Sequence, residues 1–313
     1  MAWSHKPWIR WSRIPTQPKC DALGKPLFRY TPPLAPPLTT VPDASDQFPT
    51  DVRLPAPGAS EFLSLQYIKP FVQNDSTGKS LHFTLGELQS RMLTSAPWQL
   101  DLDYTRTMMG FLLFNRAPAH IGMIGLGGGS MVKFCHRSLP LSKMTVLEIN
   151  PHVIALRREF MVPDDDDRLT VIATDGALFL HTEVPLFDVL LIDGFDHQGQ
   201  PAALSSPGFY ADCLAALSPG GVLVVNLHYD HPDYPLLVER ISRAFAGNAI
   251  EIVAAEKSNS IVFASTGAAI SPRSMNLQSA LAGLTEEARP LIKAELARVL
   301  WEMKSPHSMQ PYS

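Results

Sequence analysis

The chain has 313 residues, of which 45% are hydrophobic and 18% charged, with a formal net charge of −4. That length holds one large or two modest domains and a core that needs no covalent staples. The slightly acidic balance excludes a dedicated basic nucleic-acid binder, and three scattered cysteines (Cys20, Cys135, Cys213) exclude a disulfide framework or a four-cysteine zinc site.

Residues 1–60 carry 12 of the 28 prolines and seven Lys/Arg against four Asp. Proline lacks the amide donor that a helix or central strand needs, so this stretch predicts an extended, disordered arm. Trp3, Trp8 and Trp11 lie among its basic residues. Residues 61–90 alternate around a turn-rich STGK (76–79), which predicts a β-hairpin within a small N-terminal β-domain over 61–102. DYTRTMMGFLLF predicts a helix over 103–114, with Tyr104, Met108, Phe111 and Leu112 on one face.

From residue 120 the pattern becomes alternating strand and helix. HIGMIG, MTVLEI, LTVIAT, FDVLLID and VLVVNL predict five strands, and a closing antiparallel pair (AIEIVAAE, SIVFAST) makes seven. SMVKFCHRSL, PHVIALRREF, GFYADCLAAL and PLLVERISRAF predict helices between them, the third ended by SPGG. The fold class is therefore α/β: a doubly wound, mostly parallel, seven-stranded Rossmann-like sheet of methyltransferase type over 103–267. A helical tail over 268–313 follows, and its amphipathic PLIKAELARVLWEM predicts packing or a homodimer contact.

IGLGGGS places Gly125, Gly127, Gly128 and Gly129 between a strand and a helix, where bare backbone can approach a ligand. Glu148 ends the next strand, positioned to accept both hydroxyls of a ribose. Asp175 follows the third strand and Asp193 ends the fourth, so three acids sit at the carboxyl edge where open α/β sheets bind ligands. The glycine spacing is G-x-G-x-G and not the G-x-G-x-x-G of nicotinamide dinucleotide sites; it suits S-adenosylmethionine-type nucleosides. The run VPDDDDRL predicts a solvated loop and no metal is expected, because consecutive acids do not converge on one ion.

Taken together, these segments resemble the spermidine synthase (polyamine aminopropyltransferase) family over roughly residues 61–265. LGELQS resembles the end of the family's β-domain, which implies that Gln89 touches the nucleoside. LDYTRTM resembles its tyrosine segment, which implies a substrate contact for Tyr104. VLEINPHVI resembles the ribose-binding segment, TDGALFL the segment beside the adenine amino group, and FDVLLIDGFD the acidic segment that handles the amine. The resemblance thus implies Glu148 and Asp175 on the nucleoside, Asp193 as catalytic base and Asp196 on the acceptor. It implies decarboxylated S-adenosylmethionine as co-substrate and a small amine as acceptor. Ser130 stands where the family's glycine loop has aspartate, and Leu102, Asp103, Thr105 and Arg106 replace its acidic and His-Glu positions. A small-molecule methyltransferase using intact S-adenosylmethionine is the alternative, and an inactive nucleoside-binding or interaction protein the second. No apolar run reaches the roughly 18 residues that span a bilayer, and the N-terminus has no apolar leader core. The expected compartment is the cytoplasm.

Overall fold

A computed structural model describes residues 67–305, except 87, 183–185 and 197–198. The predicted arm over 1–60 and the first residues of the predicted hairpin lie outside the described residues.

The N-terminal unit is a three-stranded antiparallel sheet, not a lone hairpin: β1 (Phe71–Asn74), β2 (Gly78–His82) and β3 (Leu88–Leu93). Asp75 makes the first turn, accepting from the backbone N–H of Thr77 at 2.6 Å and of Gly78 at 2.8 Å. This side-chain turn shifts the reversal ahead of the predicted STGK, so Gly78 and Lys79 already lie in β2.

The main sheet has seven strands in the order β6-β5-β4-β7-β8-β10-β9. They are β4 (His120–Ile124), β5 (Lys143–Glu148), β6 (Leu169–Ala173), β7 (Phe187–Ile192), β8 (Leu217–His228), β9 (Ala249–Val253) and β10 (Asn259–Ser265). Pairing is parallel from β6 to β8, and β10 is antiparallel to both β8 and β9. The central strands are apolar because both faces are covered: Val189 and Leu191 of β7 join one core, Leu190 and Ile192 the other. One layer holds α1 (Asp103–Met108), α2 (Ser130–Ser138) and α8 (Arg289–Lys304). The opposite layer holds α4 (Gly176–Leu180), α5 (Pro207–Ala215) and α6 (Tyr234–Ala244). Two short helices complete the set, α3 (Pro151–Ala155) and α7 (Leu277–Ala282).

Two local expectations are corrected, and one alternative is selected. The helix predicted over 103–114 is α-helical only to Met108 and tightens to a 3₁₀ turn over Met109–Leu113, where Gly110 closes on the Phe263 ring. α5 ends at Ala215, ahead of SPGG, which lies inside β8 with Gly220 at φ 83°. The apolar stripe of α8 (Ile292, Leu296, Val299, Met303) is buried within this chain. Among the described residues no helix is long and apolar enough to cross a membrane.

Candidate active site

The carboxyl ends of β4, β5 and β7 open into a cleft of about 810 Å³, roofed by β3. Register explains the convergence. β4 pairs with β7 so that Ile124 lies beside Ile192, which puts Gly125 next to Asp193. A Cβ on Gly125 would collide with the Asp193 carbonyl oxygen, and its φ of 93° suits only glycine. Gly127 also has positive φ (52°) and lines the cleft. Gly128 and Gly129 serve the loop's own packing. They let Ser90 and Phe160, and then Val162, close against it, and they are not in the cleft wall.

Glu148 is buried at the tip of β5, 7% exposed. Its Oε2 accepts from the Leu126 N–H at 2.9 Å, and its Oε1 from the Asn150 N–H at 2.7 Å. Burial raises its pKa, and these backbone donors oppose the rise. The carboxylate lines the cleft and can accept further hydrogen bonds, which suits a vicinal diol. Asp175 caps α4, its Oδ1 accepting from Ala177 at 2.8 Å and Leu178 at 3.3 Å, while the residue still lines the cleft. Its role as a helix cap was not part of the expectation.

Asp193 is the chemical centre. Its Oδ1 accepts from Asn226 Nδ2 at 2.8 Å and its Oδ2 from the Tyr104 hydroxyl at 3.4 Å. Burial pushes its pKa up to about 7 against these two bonds. Tyr104 is raised well above an ordinary tyrosine, first by burial and then by the Asp193 charge, so it remains a donor. Asp196 lies three residues on, its backbone bridged to Gly199, with Phe195 stacked on His228 at 4.4 Å. Gln89 lines the cleft from β3. That strand is held down by Ser130, whose hydroxyl donates to the Arg91 carbonyl at 3.3 Å. Arg106 points away, donating to the carbonyls of Leu100 and Asp101.

All the predicted site residues except Gly128 and Gly129 therefore line one cleft. Five carboxylates line it (Glu148, Asp175, Asp193, Asp196, Asp230), and no lysine or arginine does among the described residues. In the DDDD run, Asp164, Asp165 and Asp166 face Arg158, Arg157 and His136. Asn226 was missed. The only signal for it was a lone polar residue inside the apolar run of β8.

A family model described as the Spermine/spermidine synthase domain matches residues 102–249. A polyamine aminopropyltransferase of Chromobacterium violaceum is 39% identical over 194 residues, which cover 62% of this chain and 74% of that protein. The chain belongs to the polyamine aminopropyltransferase family. A family member from Neisseria meningitidis serogroup A is 36% identical over 208 residues, 66% of this chain and 78% of that one. Among solved structures, a probable spermidine synthase from Corynebacterium glutamicum superposes with a TM-score of 0.55 at 22% identity, covering 68% of this chain and 82% of that chain. The polyamine aminopropyltransferase family match spans the glycine loop, all the strand-end acids and Asn226, but starts after Gln89. Family membership favours a transferase over the inactive alternative.

Proposed function

We infer that this protein transfers the aminopropyl group of decarboxylated S-adenosylmethionine to a primary amine, with Asp193 as the base. The observation that carries the reading is Asp193 itself: a half-buried carboxylate beside the glycine loop, hydrogen-bonded by Tyr104 and Asn226. Gly125 and Gly127 give the nucleoside room, Glu148 takes the ribose hydroxyls, and Asp175 and Gln89 flank the adenine. The amine enters as an ammonium, with an ordinary pKa of about 10.4. Its proton passes to Asp193. The freed lone pair attacks the methylene next to the sulfonium, the C–S bond breaks, and its electron pair returns to sulfur, leaving a neutral thioether. Asp196 holds a second ammonium of the acceptor.

The shifted carboxylate matters to this step. An ordinary aspartate would lie almost 7 pK units below the amine; at about 7, Asp193 narrows the gap to about 3. The ionised form is the active one. With a diamine such as putrescine, kcat/KM should rise with pH through a limb near 7, which a pH series of product formation checks. A flat profile between pH 6 and 8 would rule out Asp193 as the base. If no amine is converted and a substrate is instead methylated from intact S-adenosylmethionine, the aminopropyl reading fails.

A further inference from the structure

We propose that the turn joining β9 to β10 is a positioning device for the Tyr104–Asp193 pair, acting on Asp193 through Asn259 and Asn226 and on the helix of Tyr104 through Asp103. What the proposal says about turnover rests on the aminopropyl-transfer reading; what it says about Asp193 does not.

Three hydrogen bonds run in one direction across the sheet. The Ser258 hydroxyl donates to Asn259 Oδ1 at 2.9 Å, Asn259 Nδ2 to Asn226 Oδ1 at 2.9 Å, and Asn226 Nδ2 to Asp193 Oδ1 at 2.8 Å. Both asparagines are buried, Asn226 at 2% exposure and Asn259 at 7%. An amide can turn either its oxygen or its nitrogen toward a neighbour with almost no change of shape. Here the choice is removed. The Asn259 donor occupies the Asn226 oxygen, so the Asn226 nitrogen must face the carboxylate. Asp193 Oδ1 is thereby engaged, and Oδ2, the oxygen beside Tyr104, is the one left for the acceptor. On its other side the same turn is bonded to α1: the buried Asp103 carboxylate accepts from the Glu256 N–H at 2.7 Å. A third bond, from the Tyr229 N–H to the Ser258 carbonyl at 3.0 Å, ties the turn to the exit of β8. One short segment thus holds both partners of a pair that is 89 residues apart in sequence.

The other ionisable groups lining the cleft with Asp193 are Tyr67, Tyr104 from α1, Glu148 from β5, Asp175 at the start of α4, Asp196 from its own loop, and His228 and Asp230 at and after the end of β8, while Asp103 of α1 acts on Tyr104. Most are acids. The Asn226 and Tyr104 hydrogen bonds are therefore what favours the charged form.

The test uses the full chain with Asn226→Ala, Asn259→Ala and the double variant. The acid limb of kcat/KM should rise by about one pH unit in Asn226→Ala, because a hydrogen bond to a charged group is lost. Turnover at pH 7 should then fall about fivefold, as the ionised fraction falls. Asn259→Ala should move the limb the same way by less. The double variant should be no worse than Asn226→Ala, since the two act in series. Affinity for 5′-methylthioadenosine should stay within about twofold, which separates positioning from a damaged fold. An unmoved limb in both single variants, or additive losses in the double, would overturn the proposal. A measurement on the unaltered protein covers variants that fail to fold: the side-chain amide protons of Asn226, followed by NMR, should titrate with a midpoint near pH 7. No substrate is needed, so a titrating amide in a protein that converts no amine supports the relay and counts against aminopropyl transfer. A flat amide response overturns the relay.

Discussion

Asp193→Asn should lower turnover of amine and decarboxylated S-adenosylmethionine by roughly 10²–10⁴-fold, the usual share of a general base. The substitution keeps the shape and removes the charge and basicity. In the proposed reading the nucleoside is held by Glu148 and by the backbone about Gly125, so its affinity in calorimetry should barely change. The variant carries a second expected result. Asp193 has a raised pKa, so between about pH 4 and about 7 the folded protein keeps a proton that the unfolded chain releases. Stability contributed by this site therefore falls as pH rises through that window. Asparagine imitates the protonated form and avoids that fall. The Tm difference between variant and parent should move in favour of the variant from pH 5 to pH 8. A variant that keeps its turnover, or one that loses nucleoside affinity as steeply as turnover, would remove Asp193 from the role of base. Asp196→Asn should instead raise the KM of a diamine, since it takes away the proposed second ammonium contact.

Glu148→Ala should weaken 5′-methylthioadenosine by about 2 kcal/mol or more, roughly 30-fold in Kd. Two losses combine. The proposed charge-assisted bonds to the ribose disappear, and the N–H groups of Leu126 and Asn150 lose their acceptor in a buried place. Leu126 belongs to the glycine loop, so the loop itself should loosen and the Tm should fall along with the affinity. Affinity unchanged within error would mean that the nucleoside sits elsewhere in the cleft.

Much of this site is legible in the sequence because its parts are local. A strand, a glycine turn and an acid at the next strand end are each set by a few neighbouring residues, and parallel pairing brings their carboxyl ends to one edge. That is how pattern alone puts Glu148, Asp175 and Asp193 together. What local pattern cannot carry is adjacency across the sheet. Asn226 faces Asp193 because β7 and β8 pair with Ile192 beside Val225, and Asn259 reaches it only because β10 returns antiparallel on the far side of β8. Side-chain direction was equally hidden. Arg106 sits two residues from Tyr104, yet it turns back to the carbonyls of Leu100 and Asp101, satisfying them and keeping its charge out of the cleft. Gly128 and Gly129 look the same as Gly125 in sequence, and only the packing of Ser90, Phe160 and Val162 shows that they serve the loop and not the ligand. The 3₁₀ ending after Met108 goes with the close approach of Gly110 to the Phe263 ring, which no propensity encodes.

The cleft wall, with its acids and without lysine or arginine among the described residues, has a kinetic consequence. Its field extends into solvent over about one Debye length, roughly 10 Å at 0.1 M salt, and draws polycations inward before they touch any side chain. Capture of an amine carrying several charges should be fast in dilute buffer and slow steeply as salt is added, more so for a triamine than for a diamine. The neutral thioether product feels no such pull. It should leave at a rate that salt hardly changes, whereas the lengthened amine product carries one charge more than its diamine precursor, is held by the same field, and should leave faster as salt is added.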